Sequence, residues 1–260
     1  MNDLPVRFVR IGGFAISDCD FASASRHIRA YLHDRTKLLV FFANTHFIVT
    51  CQPLRNSLLE MASIFILNDG VGLSLARRLL FKGRFSENMN GTDFIPRFLR
   101  ESPRPLRIYL LGATKASVEG CASVFGKIAQ VDIAGTCDGY SLWSREAEII
   151  DEINAAKPDI LLVALGCPLQ ESWIVENDKR LSVPAIFAVG ALFDFVSGEQ
   201  VRAPVFIRNA GFEWLYRLWR EPRRLAYRYT VEMLAFFRIV FTSASNNMQT
   251  VAPKIDQLFD

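Results

Sequence analysis

The chain has 260 residues, 50% hydrophobic, 22% charged and 12% aromatic, which is enough for a sizeable core and excludes a disordered or low-complexity scaffold. Thirty Lys and Arg against 27 Asp and Glu give a formal net charge of +3, which argues against a globally basic nucleic-acid binder but leaves room for a local basic cluster. In chain order, residues 6–11 read as a strand ending in a Gly12 and Gly13 turn, and 20–33 carry helical spacing through Phe21, Ile28 and Leu32. The apolar run 37–43 suits a strand buried on both faces, ending at Asn44, Thr45 and His46. A second buried strand, 64–67, ends at Asn68, Asp69 and Gly70 and leads into a helix over 71–80.

The second half repeats the pattern. Strand 106–111 runs into Gly112, Ala113 and Thr114 and then a helix; 131–135 is a shorter strand and 146–156 a helix. Strand 159–165 runs into Gly166, Cys167 and Pro168, and 185–189 into Gly190 and Ala191. Strands alternating with helices predict an α/β fold, a mainly parallel sheet with flanking helices in a Rossmann-like arrangement. Ligands of such sheets bind beyond the strand C-termini, where the glycine-rich and polar residues gather. We expect this core over 1–200. From 201 to 260 the composition turns rich in Arg and aromatics, with Arg202, Arg217, Arg224, Trp214 and Trp219 among them, and predicts a C-terminal helical appendage.

The motifs divide by chemistry. Asp69 at a strand end suits a general base, a ribose or metal ligand, or a plain helix cap. Gly112 and Ala113 open a strand-to-helix turn able to face a diphosphate, without the glycine pattern of a dinucleotide fold or P-loop. Gly166 and Pro168 shape a rigid turn, and Gln170 offers an amide to a sugar or base edge. Cys167 has no evident base nearby in sequence, and His46 alone reads as structural. Five cysteines without CxxC, and three histidines without zinc spacing, point to reduced thiols in a cytoplasmic protein. The N-terminus lacks the pattern of a signal peptide. No stretch reaches the roughly 18–20 apolar residues of a spanning helix. The Arg-aromatic tail suits an anionic membrane surface, RNA, or a solvated helix face.

Together these segments resemble one family, the WecG/TagA/CpsF glycosyltransferases (glycosyltransferase family 26), with some likeness to its GumM-like exopolysaccharide branch. The resemblance rests on Asn44-Thr45-His46, Asn68-Asp69-Gly70, Asn90-Gly91-Thr92-Asp93, Leu111-Gly112-Ala113 and Asp138-Gly139-Tyr140. It continues through Gly166-Cys167-Pro168-Leu169-Gln170-Glu171, Val189-Gly190-Ala191-Leu192-Phe193-Asp194, Arg202-Ala203-Pro204, and the Glu213-Trp214 and Pro222-Arg223-Arg224 segments. It implies an inverting enzyme that passes a sugar from a UDP-sugar to a polyprenyl-diphosphate-linked saccharide at the cytoplasmic membrane face. It assigns Asp69 as the catalytic base. Asn44, Thr45, Gly112, Ala113, Asp138, Gly139, Tyr140, Gly166, Pro168, Gln170 and Glu171 fall to the donor. Asn88, Asn90, Asp93, Arg202, Arg217 and Arg224 fall to the acceptor or diphosphate.

No metal ligand or other cofactor is expected, because no DxD cluster is present to hold a metal-diphosphate. The appendage is expected to dock peripherally on anionic lipid; a homo-oligomer is possible, and nucleic acid is not an expected partner. Two positions depart from the family pattern: Asn88 stands where Arg is common, and Phe42 where Thr is common. They favour a glucosyl donor. The alternatives are an N-acetylmannosaminyl or N-acetylmannosaminuronyl donor, or a catalytically silent scaffold of a polysaccharide assembly complex.

Overall fold

A computed structural model describes residues 6–61, 63–204, 207, 213–220 and 222–246. One eight-stranded sheet organises the protein, made of β1 (Arg7–Ile11), β2 (Phe14–Asp18), β3 (Leu38–Ala43), β4 (Ile64–Asn68), β5 (Leu106–Gly112), β6 (Val131–Cys137), β7 (Ile160–Ala164) and β8 (Ala185–Ala188). The strand order is β1-β2-β4-β3-β8-β7-β5-β6. β1 and β2 form an antiparallel hairpin and every other pairing is parallel. The hairpin places β2, which the sequence reading passed over, beside β4. Its turn needs positive φ at two successive positions, and Gly12 (58°) and Gly13 (90°) supply it.

The helices are α1 (Phe21–Asp34), α2 (Thr45–Thr50), α3 (Arg55–Glu60), α4 (Val71–Phe81), α5 (Gly91–Arg100), α6 (Lys115–Phe125), α7 (Gly139–Leu142), α8 (Glu146–Ala156), α9 (Leu169–Asn177), α10 (Leu192–Ser197), α11 (Glu213–Arg220), α12 (Pro222–Tyr227) and α13 (Met233–Asn246). The expected α/β architecture is therefore present, with helices on both faces of the sheet. The continuous apolar strands follow from that double cover. On β3, Leu39 and Phe41 enter one core and Leu38 and Val40 the other, alternating as side chains on a strand must. α5 was not anticipated, since Pro96 lies inside it, yet Phe94, Ile95, Phe98 and Leu99 give it a fully buried face.

The chain holds 21 Phe, and eleven of them are buried among the described residues. Phe14 meets Phe47 edge-on at 5.2 Å, and Phe94 stacks on Phe98 at 5.9 Å. The last helix, α13, packs against α2, α4 and β1, and buries Phe236 and Val240 in the core shared with β1 and β3. Leu234 and Phe241 of the same helix are exposed. Among the described residues no helix is long and apolar enough to cross a membrane.

Candidate active site

The seven parallel strands deliver their C-terminal ends to one edge of the sheet, and beyond β2 these follow in the order β4, β3, β8, β7, β5, β6. Register fixes the neighbours: Ala43 pairs with Asn68, Val163 with Ala188, Gly112 with Ala164, and Leu111 with Cys137. The residues just past these ends therefore form one row: Asp69, Asn44, Gly190, Gly166, Ala113 and Asp138. Five strand spacings separate its ends, about 24 Å. The row holds nearly every strand-end residue that the sequence singles out.

At the β4 end, the Asp69 N–H donates to the Ala43 carbonyl at 2.7 Å, continuing the ladder one residue beyond the strand. The next residue is held from the other side: the Gly70 N–H donates to Asn88 Oδ1 at 2.7 Å. Met89 N–H donates to the Asn68 carbonyl, and Asn68 Nδ2 to the Glu87 carbonyl. The loop 87–89 is thus laced across the end of β4, and it leaves Asp69 half-buried on a backbone fixed from two sides. The Asn88 side chain does a job here that needs an acceptor and that an Arg could not do.

Asn44 caps α2 by accepting from the Phe47 N–H at 3.1 Å. Thr45 is buried, with its methyl group against Gly72, where a Cβ would come within 2.2 Å of it. That contact seats α4 beside α2 and fixes the approach to Asp69.

The β5 end is a stitched turn. Gly112 has φ of 119°, and a Cβ there would lie 2.4 Å from the Ala164 carbonyl oxygen. Ala113 donates its N–H to that same oxygen at 2.8 Å and accepts from the Gly139 N–H at 2.9 Å. The Ala113 N–H is therefore spent on β7 rather than offered to a diphosphate. Asp138 caps α7, with Oδ1 taking the Tyr140 and Ser141 N–H groups and Oδ2 the Ser141 hydroxyl. The Ser141 bonds, with that from Tyr140, hold its carboxyl below the usual range. Tyr140 is exposed at this end of the row.

The β7 end differs from the simple expectation. Gln170 and Glu171 are both buried. Gln170 Oε1 accepts from the Gly190 N–H at 3.0 Å and its Nε2 donates to Glu171 Oε1 at 2.8 Å. They hold the loop after β8 from beneath, and burial pushes the Glu171 carboxyl up to about 7. A thiol hydrogen bond with Cys51 and burial push Cys167 far above the ordinary thiol range, which disfavours a nucleophilic role. Asp194 is a structural tie: it accepts from the Ser117 hydroxyl at 2.6 Å and joins α10 to α6.

Asn88, Asn90 and Asp93 line a small cavity with Phe21, Phe94 and Arg97. Asn90 caps α5 by accepting from the Thr92 N–H. Asp93 takes two bonds from Arg202, at 2.6 and 2.7 Å, and Arg202 Nε reaches Glu213 at 3.2 Å. Arg202 thus joins the core to the first appendage helix, and its charge is already paired. Arg217 and Arg224 fall on α11 and α12, and their side chains lie outside the described residues.

Two partners were not legible in sequence. His46 Nδ1 lies 2.8 Å from Glu232, in the π-helical turn Arg228–Glu232 that precedes α13, and His46 Nε2 lies 3.3 Å from the Cys167 carbonyl. The His46–Glu232 pair is separated by 186 residues, so no local signal could have joined it.

Comparison with known proteins gives a consistent result. The family model described as "Glycosyl transferase WecG/TagA/CpsF family" matches residues 9–250. A Bacillus subtilis strain 168 protein named N-acetylglucosaminyldiphosphoundecaprenol N-acetyl-beta-D-mannosaminyltransferase is 34% identical over 200 residues, 74% of each chain. A protein of the same name from Bacillus spizizenii W23 is 31% identical over 80% of this chain and 81% of its own. One from Staphylococcus aureus MW2 is 26% identical over 71% and 78%.

Proposed function

Since the chain belongs to the WecG/TagA/CpsF glycosyltransferase family, we propose that it moves N-acetylmannosamine, with inversion, from its UDP derivative to N-acetylglucosamine carried on a polyprenyl diphosphate. The relatives' names favour this donor over the glucosyl donor suggested by Asn88 and Phe42. Asn88 carries less weight for glucose once its side chain is seen to serve the Gly70 N–H.

The observation that carries the reading is the placement of Asp69. Its backbone is locked at the end of β4, and the half-buried residue stands at the edge where ligands of such sheets bind. There it takes the proton from the acceptor hydroxyl as that oxygen attacks the anomeric carbon. The bond to the UDP oxygen breaks, and the sugar inverts. Departing negative charge needs donors. Ala113 and Arg202 are otherwise engaged, so Arg217 and Arg224 are the family-matched source. Tyr140, exposed at the far end of the row, offers a ring face for the uracil.

Asn44 stands beside Asp69 at the acceptor end of the row, and Thr45, buried against Gly72, supports that end from beneath. The reaction proceeds without a metal on the diphosphate. The appendage, residues 201–260, brings the site to the inner face of the cytoplasmic membrane by pairing Arg with anionic lipid and setting Trp214 and Trp219 at the interface.

A panel of UDP-sugars with a short-chain polyprenyl-diphosphate N-acetylglucosamine acceptor, with and without added Mg2+, tests this. Transfer from UDP-N-acetylmannosamine alone, independent of Mg2+ and reduced about 100-fold or more in Asp69→Asn, is the expected result. Transfer only from UDP-glucose overturns the donor assignment. No transfer from any donor by folded protein favours the scaffold.

A further inference from the structure

Below the row of strand ends, two cysteines 116 residues apart in sequence come together. Cys51 caps the C-terminus of α2 and is fully buried; Cys167 lies half-buried in the loop after β7. Both are free thiols, with Sγ atoms 3.7 Å apart. Glu171, in the first turn of α9, completes the group: the three ligand atoms lie within 4.8 Å of one another. Its Oε1 accepts from Gln170; its Oε2 is buried without an oxygen or nitrogen partner, and the Cys167 thiol is the carboxyl's remaining polar neighbour.

A carboxylate oxygen taken out of water without a partner is costly, and native structures supply one. Here the nearest candidates are two sulfurs. Their spacing is informative. A disulfide requires about 2.05 Å, whereas two thiolates about 2.3 Å from a tetrahedral Zn2+ sit about 3.8 Å apart. The observed 3.7 Å is that of the thiol hydrogen bond between Cys51 and Cys167, and it is also the spacing that two ligands of one metal would take. Two thiolates and one carboxylate also select by softness: such a set prefers Zn2+ to Mg2+ or Ca2+. Three protein donors leave a fourth position to be filled by water. The Thr50 hydroxyl, 3.4 Å from Cys167 Sγ while bonded to the His46 carbonyl at 2.8 Å, steadies that sulfur.

We propose that Cys51, Cys167 and Glu171 bind one thiophilic divalent cation of the Zn2+ class, which fastens α2 to the loop after β7. The cation is structural. It lies beneath the crevice, takes no part in sugar transfer, and its presence does not depend on the transferase reading. Sequence spacing hides the site because its ligands come from three separate elements.

The test uses the whole chain, fully reduced with a phosphine and freed of metal. Titration with Co2+ should give a near-ultraviolet thiolate-to-cobalt band that saturates at one equivalent and is displaced by Zn2+. The band should vanish in Cys51→Ala and Cys167→Ala, and affinity should fall about tenfold or more in Glu171→Gln. Zn2+ should raise the melting temperature of the wild type and not of the cysteine variants.

If a variant fails to fold, X-ray absorption at the zinc edge of the wild type decides, with two sulfur scatterers expected. The proposal is overturned by folded, reduced wild type that shows neither band nor melting shift with excess metal. It is equally overturned by a band that persists in both cysteine variants, or by a zinc shell of nitrogen and oxygen alone.

Discussion

Replacing Arg202 with Gln tests how the appendage is held to the core. The guanidinium is 18% exposed and grips both Asp93 oxygens, at 2.6 and 2.7 Å, while Nε reaches Glu213 at 3.2 Å. Charge-assisted bonds of this kind contribute about 1.5–3 kcal/mol when well shielded. Asp93 is 60% exposed and regains water when Arg202 is lost, so its share falls to about 1 kcal/mol. Glu213, 24% exposed, is left partly buried beside an amide, at a cost of about 1–2 kcal/mol. Because the bond ties α11 to α5, the total of about 2–3 kcal/mol should appear as local opening of α11 rather than global unfolding.

That energy multiplies the open population about 30- to 150-fold. Hydrogen exchange followed by mass spectrometry should show it as faster exchange across 213–220, with amides of β5 and β7 unchanged. Combining Arg202→Gln with Asp93→Asn should cost less than the two changes summed, since the two side chains share one interaction. Unchanged exchange across 213–220, or effects of the two substitutions that simply add, would refute the clamp.

Two glycines of positive φ make a ranked pair. Gly112→Ala drives a methyl to 2.4 Å from the Ala164 carbonyl and should cost about 3 kcal/mol or more, whereas Gly166→Ala meets nothing within 4 Å and should cost about 1–2 kcal/mol; thermal melts order them, and equal losses would contradict the geometry. Asp138 titrates below its unfolded value, so its contribution to stability is in place above about pH 4 and disappears as pH falls through the folded value. The melting-temperature difference between wild type and Asp138→Ala should therefore shrink in acid, and a gap that stays constant to about pH 2 counts against the cap. Salt should weaken binding to anionic liposomes, with substantial release by about 1 M, where charges are screened within roughly 3 Å; full retention would argue for anchoring of another kind.

The fold was legible where one local rule decided it. Apolar runs such as 37–43 could only be strands covered on both faces, and each ended in the polar or glycine residues that now form the row. β2 was missed because its five residues alternate little and depend on the hairpin turn for their partner. α5 was missed because Pro96 reads as a breaker, although its buried Phe and Leu side chains outweigh the lost backbone bond. In both cases tertiary burial overrode a local signal.

The site separates in the same way. Position along the chain showed which residues stand at strand ends, but not which atoms there remain available for a substrate. The Ala113 N–H looked like a phosphate donor until its bond to Ala164 was seen. Gln170 and Glu171 looked like donor contacts and lie beneath the surface, holding the Gly190 loop. Asn88 looked like a missing charge and proves to be the acceptor that shapes the turn after Asp69. Each of these groups supports the row from behind, and the proposed substrate contacts reduce to Asp69 at one end and the exposed Tyr140 at the other. A substitution behind the row should then disturb the placement of every substrate atom together, lowering the rate for all donors alike. A substitution on the row should change the ranking of donors. Comparing Gln170→Glu with Tyr140→Ala across a donor panel distinguishes the two, and a changed ranking in Gln170→Glu alone would reverse the assignment.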